Sequence, residues 1–273
     1  ALTSERTQQP QRPRPRFRTA EVRRVERLSP RMVRITVGGE ELDGFETPAP
    51  TQHLKLIIPE PGQDRPVLPD PSLPKGAVSP GQLRPLMRTY TVRRYDVATS
   101  ELDIDFALHG DGPASSWAGQ AKPGSVVALA GPGGRRYAPD LEAGHYLIAG
   151  DESAMPAIGI LLEALPASVD AQVYVEVGDE TEELDWRTDA QLHVRWLHRQ
   201  GDQRPGDPLR SAIAQAPVPN GNARVWVACE ASVMRQIRKH LLEDWRLDPS
   251  AIVTRGYWKE GEPNYRDGDY GED

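Results

Sequence analysis

The feature that most constrains the fold is a change in the periodicity of apolar residues at positions 131–134, which read Gly-Pro-Gly-Gly. Before this point, apolar and polar residues alternate. Leu102, Ile104 and Phe106 are separated by single aspartates, which is the period of a half-buried strand. Similar short strands are predicted at residues 32–37, 54–58 and 89–92. The first half of the chain is therefore predicted to be antiparallel β structure that forms a small barrel.

After residue 134, short apolar runs alternate with helical patterns. The predicted strands lie at residues 145–149, 173–177, 193–197 and 225–228, and the predicted helices at residues 154–165, 208–216 and 231–245. Alternation of this kind implies a parallel sheet that is covered on both faces by helices. The chain of 273 residues is long enough for two domains. We assign residues 17–138 to the barrel and 139–261 to the α/β domain.

Three segments lack a periodic pattern. Residues 1–16 form a Pro/Gln-rich arm, and the first 24 residues hold seven arginines, so we predict a flexible basic arm. Residues 59–85 are rich in proline and glycine and are too long for a hairpin turn, which leaves an ordered excursion or a flexible lid. Residues 262–273 are polar and acidic and are predicted to be a disordered tail.

Composition excludes several classes of protein. A net charge of −7 and a pI near 5.5 argue against nucleic-acid binding. A nucleic-acid or membrane-surface role for the arm would require salt-sensitive binding that is lost when residues 1–16 are deleted. No apolar run approaches the roughly 20 residues that cross a bilayer, so we expect no membrane insertion. The single cysteine, Cys229, cannot form a disulfide within the chain. Because the sequence has no metal-ligand motif, we expect no metal site. We expect a cytoplasmic protein, with a monomer favoured.

Residues 88–91 read Arg-Thr-Tyr-Thr on a predicted strand. Arg88 and Tyr90 fall on one face of that strand, where a guanidinium can fork onto a pyrophosphate and a phenol ring can lie against a flat ligand. Taken alone, the pattern also suits any exposed strand.

A turn at residues 109–113 strengthens the interpretation. Gly110, Gly112 and Pro113 lead from a strand into a short helix, and amides at a helix start favour an anion such as a phosphate. His109 either adds a donor there or is an ordinary exposed turn histidine.

Four segments in this order resemble one family. They are residues 88–91, residues 109–117, residues 150–157 (Gly-Asp-Glu-Ser-Ala-Met-Pro-Ala) and residues 256–261 (Gly-Tyr-Trp-Lys-Glu-Gly). Together they are similar to the siderophore-interacting proteins, flavin-dependent ferric-siderophore reductases of the ferredoxin-reductase-like superfamily. The resemblance extends over residues 17–261.

The resemblance implies an N-terminal antiparallel six-stranded-type β-barrel that holds FAD, followed by a Rossmann-like parallel α/β domain for NADH or NADPH. The implied cofactor-binding residues are Arg88, Thr89, Tyr90, Thr91, His109, Gly112, Pro113, Ala114, Ser115, Asp151, Ser153, Ala154 and Trp258. The candidates for docking an anionic ferric siderophore are Lys55, Arg93, Arg94 and Lys259, although ordinary surface charge is an equal alternative for the two arginines. Asp151 and Ser153 also suit simple helix capping.

The resemblance implies that NAD(P)H reduces FAD, which passes single electrons to a ferric siderophore and so releases ferrous iron. The cofactor carries the chemistry, and no catalytic side chain is assigned. Two alternatives stay open: reduced ferredoxin as the donor, and a siderophore- or flavin-binding protein without turnover. Cys229 stands where relatives have glycine, and we expect it to fill space in the core.

Overall fold

The computed structural model describes residues 15–272, so most of the predicted basic arm lies outside the described residues. The N-terminal domain is an antiparallel sheet whose strands run in the order β4-β3-β7-β1-β2-β6-β5. Its strands are β1 (Arg18–Ser29), β2 (Met32–Gly38), β3 (His53–Ile58), β4 (Leu86–Thr91), β5 (Arg94–Asp96), β6 (Glu101–Ala107) and β7 (Val126–Gly133). One helix, α1 (Pro113–Gln120), follows β6.

This sheet curls around an apolar interior. The long strand β1 pairs with β2 and, through its first four residues, with β7, and two irregularities in the β1–β2 register let it bend. Ile35, Leu56 and Ile104 are fully buried inside. The rings of Tyr90 and Phe106 lie 4.4 Å apart, which brings edge strand β4 against β6. The sheet has seven strands and not the expected six, because the three-residue β5 adds a short antiparallel pairing to β6.

The second domain is the predicted parallel α/β unit. Its sheet has the order β10-β9-β8-β11-β12, and every neighbouring pair is parallel. Its elements are β8 (His145–Gly150), α2 (Met155–Ala164), β9 (Asp170–Val177), β10 (Gln191–His198), α3 (Asp207–Gln215), β11 (Ala223–Glu230), α4 (Ala231–Glu243) and β12 (Ile252–Trp258). The core on one face of the sheet includes residues of α2, and the core on the other includes residues of α3 and α4. The carboxyl ends of all five strands therefore meet at one edge.

The two domains are in direct contact. Arg93, just before β5, makes two hydrogen bonds of 3.0 and 2.5 Å to Glu163 on α2. Ser29 donates a 2.6 Å hydrogen bond to the buried Glu182 of the second domain. Met32 packs into the core of that domain as well. These contacts hold the barrel against the α/β unit and leave a cleft between them.

The end of the chain is ordered, contrary to the disordered tail expected from its composition. Residues 262–272 turn back along β12, and the amide of Gly256 donates a 2.8 Å hydrogen bond to the carbonyl of Asp269. Asp269 is 2% exposed. Its contacts are specific and polar, which hydrophobic periodicity cannot reveal. Residues 59–85 contain no helix or strand and are largely exposed. No helix in the range 15–272 is both long and apolar enough to cross a bilayer.

Candidate functional site

A cavity of about 550 Å³ lies between the barrel, the carboxyl edge of the parallel sheet and the C-terminal segment. We call it the interdomain cleft. Residues from four parts of the chain border it: β4, the turn before α1 together with the first residues of α1, the region after β8, and the end of β12. They are Arg88, Thr89, Tyr90, Thr91, His109, Gly112, Pro113, Ala114, Ser115, Ser153, Pro156, Tyr257 and Trp258. The structure therefore brings together segments that are far apart in the chain.

Strand β4 supplies the barrel wall of the cleft. Because β4 is an edge strand, both of its faces can border the cavity, and all four residues of the Arg-Thr-Tyr-Thr motif do so. Tyr90 is packed on Phe106, and burial raises the pKa of its phenol to about 12. Arg88 donates a 2.8 Å hydrogen bond to the carbonyl of Met87 and, among residues 15–272, pairs with no carboxylate. Its charge is thus available to an anionic ligand.

The start of α1 borders the same cavity. Its N-cap is Gly112, which has no side chain to satisfy the first amides, and Pro113 lies in the first turn. Amides in this position carry a partial positive charge that favours phosphate. His109 is exposed, and its carbonyl accepts a 3.2 Å hydrogen bond from the Ser115 hydroxyl. That hydrogen bond ties the turn to the helix start.

Asp151 and Ala154 do not border the cleft. Asp151 is buried, and its carboxylate accepts hydrogen bonds from the Ser153 amide (3.0 Å) and the Trp258 indole nitrogen (2.8 Å). Ala154 is fully buried against Gly150, where any added Cβ would lie 2.5 Å from the Ala154 Cβ. Asp151 therefore positions Ser153 and Trp258, and Gly150, which has no Cβ, allows Ala154 to pack closely against the end of β8.

The four basic candidates lie in different surroundings. Lys259 borders the cleft, and Lys55 lies beside it, donating a 2.7 Å hydrogen bond to Thr89. Arg93 has a side chain only 11% exposed and is held by Glu163, so it ties the domains together. Arg94, on β5, pairs at 3.2 Å with Asp103 on β6. Neither arginine borders the cleft.

Other residues that border the cleft were not predicted from the sequence, among them Thr51, His53, Arg135, Arg255 and all of residues 262–270. Burial, with a smaller effect of Lys55, lowers the pKa of His53 to about 4, so its ring is neutral at pH 7. Arg255 could have been found, because it lies two residues before Tyr257 on a strand and so faces the same side. Arg135 follows a turn and gave no periodic signal.

The cleft suits a ligand that carries phosphates, polar ring edges and a flat ring. The hydroxyls of Thr51 and Tyr257 are buried and, within the described part of the chain, have no partner in hydrogen-bond geometry. Tyr257 lies near Thr91, and burial raises the pKa of its hydroxyl to about 12. Buried polar groups are rarely left unpaired without a ligand or water to satisfy them. Together with Arg88 and the start of α1, these groups fit FAD.

A glutamate-arginine network lies behind the edge of the parallel sheet. Glu176 is fully buried at the end of β9 and accepts hydrogen bonds from the amides of Gly206 (2.8 Å) and Leu209 (3.1 Å). Arg199 donates to Glu176 at 2.9 Å and also binds Glu152, which borders the cleft. This network fixes the loop at Glu152.

Cys229 is fully buried near the end of β11. It belongs to the apolar cluster of Leu147, Ala149, Val233 and Met234. Burial raises the pKa of its thiol well above the ordinary value, so the group stays protonated. These surroundings support the space-filling role expected from the sequence.

An antiparallel sheet domain followed by a five-stranded parallel α/β domain defines the ferredoxin-reductase-like fold. Phthalate dioxygenase reductase, a modular structure for electron transfer from pyridine nucleotides, superposes with a TM-score of 0.58 at 12% identity. The match covers 88% of this chain and 68% of that one. This comparison establishes the fold class alone.

The sequence identifies the particular family. Residues 21–136 match the model of the siderophore-interacting FAD-binding domain, and residues 143–261 match that of the siderophore-interacting protein. The chain belongs to the siderophore-interacting protein family, which confirms the resemblance drawn from the four motifs.

Three relatives illustrate the match. Ferric vibriobactin reductase ViuB of Vibrio cholerae is 36% identical over 239 residues, which is 86% of each chain. The NADPH-dependent ferric-chelate reductase of Escherichia coli is 36% identical over 251 residues, covering 89% of this chain and 93% of that protein. A siderophore utilization protein from T. fusca has a TM-score of 0.81 at 34% identity, covering 93% of this chain and 96% of that one.

Proposed function

We propose that this chain is an FAD-dependent ferric-siderophore reductase that takes its electrons from NAD(P)H. The observation that carries the proposal is the interdomain cleft, where Arg88 and the uncapped start of α1 lie together. Within residues 15–272, Arg88 has no carboxylate partner. The family match and the reductases among the relatives support it.

The residues of the barrel would hold FAD. Arg88 and the first amides of α1 suit its pyrophosphate, while Tyr90 and Pro113 offer apolar surface to a ring. Bound FAD would supply the redox chemistry, accepting a hydride from the nicotinamide and giving up electrons singly to ferric iron. The protein side chains bind and orient the reactants, and Asp151 orients Trp258 at the edge of the cavity.

The second domain would receive the electron donor. In parallel sheets of this kind, ligands bind beyond the carboxyl ends of the strands. Here that edge presents Glu152, Ser153 and Pro156 to the cleft. NADPH is the favoured donor, because the relative from Escherichia coli is described as NADPH-dependent. Reduced ferredoxin is the alternative donor.

The acceptor is a ferric siderophore, which brings its own iron ligands. Lys55, Arg135, Arg255 and Lys259 lie in or beside the cleft and are the cations that suit an anionic chelate. Arg93 and Arg94 are assigned to structural ion pairs instead.

An absorbance experiment on the purified protein tests this function. We expect a flavin spectrum after reconstitution with FAD, bleaching of that spectrum by anaerobic NADPH, and its return when a ferric siderophore is added with a ferrous-iron indicator. Bleaching by reduced ferredoxin alone would select the other donor. Tight binding of a ferric siderophore with no bleaching by any donor would select a carrier protein. Absence of FAD binding would contradict the proposal.

A further inference from the structure

The C-terminal segment, residues 262–272, lies over the interdomain cleft and is held there by specific contacts. The buried Asp269 carboxylate accepts hydrogen bonds from Arg235 (2.5 Å) and the Tyr265 hydroxyl (2.7 Å). Gly256 lacks the Cβ that would lie 2.7 Å from an Asp269 oxygen, so the segment can approach β12 closely. The position of this segment is therefore part of the fold.

A second anchor is the ring of Tyr270. The guanidinium of Arg135 lies 3.7 Å from the centre of this ring, and that of Arg255 lies 4.5 Å away. Cations placed over an aromatic ring in this way are attracted by its negative face. Thr254 also donates a 2.6 Å hydrogen bond to the Tyr270 carbonyl. The segment is thus fixed to two of the cations of the cleft.

The acidic side chains of the segment pair with cations that lie in or beside the cleft. Asp267 binds the Lys55 ammonium, Glu272 lies 2.9 Å from Arg135, and Glu262 lies 2.6 Å from Lys259. The cations come from three separate parts of the chain, namely β3, the turn after β7 and the end of β12. Each carboxylate therefore pairs with a cation that the proposed function assigns to an anionic chelate.

We propose that Asp267 and Glu272 are specificity-determining residues that select ferric chelates by charge. This inference rests on the proposed function. An anionic chelate has to compete with these tethered carboxylates for Lys55 and Arg135, and tethering gives the carboxylates a high effective concentration. A neutral chelate forms no ion pair with the two cations and meets no such competition. The segment therefore lowers the preference of the site for strongly anionic chelates.

The test compares a double variant with a control of equal charge. Asp267→Asn with Glu272→Gln removes the carboxylate partners of Lys55 and Arg135 while keeping the side-chain shapes. Glu142→Gln with Glu243→Gln changes the net charge equally at exposed positions that do not border the cleft. The probes are a trianionic ferric tris(catecholate) and a neutral ferric tris(hydroxamate). Flavin fluorescence gives the Kd of each chelate, and steady-state reduction gives the KM.

We expect the double variant to bind the tris(catecholate) roughly threefold to tenfold more tightly, as the loss of two exposed ion pairs allows. Its affinity for the neutral chelate and its flavin content should not change, and the control should behave like the parent protein. Added salt should reduce the difference, because exposed pairs are screened.

Equal affinities of parent and double variant for the tris(catecholate), or a parallel change for both chelates, would overturn the inference. The proposed function would survive that result, because the parent protein would still reduce both chelates. A parent protein that neither binds nor reduces either chelate would remove both proposals. The single Glu272→Gln variant should show part of the effect, which guards against misfolding of the double variant.

Discussion

The indole nitrogen of Trp258 donates a 2.8 Å hydrogen bond to the carboxylate of Asp151, which joins the end of β12 to the end of β8. The same carboxylate accepts hydrogen bonds from the Ser153 amide and hydroxyl at 3.0 and 2.5 Å. One buried side chain therefore orders two segments that border the cleft. Its position explains why Asp151 matters to the site without lining it.

Replacing Asp151 with alanine should lower the free energy of unfolding by about 1–3 kcal/mol, because the turn loses its cap and the Trp258 nitrogen loses its partner. Urea unfolding measures this change. Asp248→Ala is the matched control, since Asp248 caps Ser250 in the same way but is exposed and, within the described chain, receives no tryptophan hydrogen bond. A smaller loss for Asp151→Ala than for this control would contradict the assigned role.

Replacing Arg88 with alanine should weaken FAD binding roughly tenfold to a hundredfold, as expected for loss of a charged hydrogen bond to phosphate. The free energy of unfolding of the apoprotein should hardly change, because Arg88 donates only to the neighbouring Met87 carbonyl within residues 15–272. Titration of the apoprotein with FAD measures the affinity. Arg84→Ala, at an exposed position outside the cleft, is the control, and equal affinities of the two variants would argue against an Arg88 contact with the cofactor.

The Arg93→Ala and Arg94→Ala variants should differ in their free energy of unfolding, and neither should bind the acceptor more weakly than the parent protein. Arg93→Ala removes two hydrogen bonds to Glu163 across the domain interface, and we expect a loss of about 1–3 kcal/mol. Arg94→Ala removes one side of a pair in which the arginine is 62% exposed and should cost less. Thermal unfolding measures both. A weaker affinity of either variant for an anionic ferric chelate, without loss of stability, would restore the siderophore-docking role expected from the sequence.

Glu176 should make stability depend on pH. Burial raises the pKa of its carboxyl from 4.5 to about 7 in the folded protein. The folded state therefore binds more protons than the unfolded state between these pH values. The stabilisation that comes from protonated Glu176 is complete below about pH 4.5 and is lost as pH rises through 7.

The parent protein should thus lose more stability between pH 5 and pH 8 than Glu176→Gln, by about 1–3 kcal/mol. Urea unfolding at the two pH values gives the difference. Glu142→Gln, at an exposed position, should keep the parent's pH dependence. An identical pH dependence of Glu176→Gln and the parent would mean that Arg199 and the two amides keep Glu176 ionised throughout.

The sequence by itself determined the two-domain plan, because strand and helix periods are local properties that the chain displays residue by residue. The change of hydrophobic periodicity at residues 131–134 lies at the end of β7, and the three predicted helices correspond to α2, α3 and α4. Four short motifs were also sufficient to identify the family. Each depends on a few neighbouring residues whose spacing is visible in the sequence.

Tertiary structure alone decided which charges meet. The local sequence does not show that Lys55 pairs with Asp267, which lies 212 residues away. Nor does it show that Arg93 pairs with Glu163 on α2 of the other domain. The acidic end of the chain reads as disordered because it lacks apolar periodicity, yet a buried aspartate and two arginines against Tyr270 hold it in place. Polar contacts between distant segments depend on three-dimensional proximity, and hydrophobic pattern does not encode them.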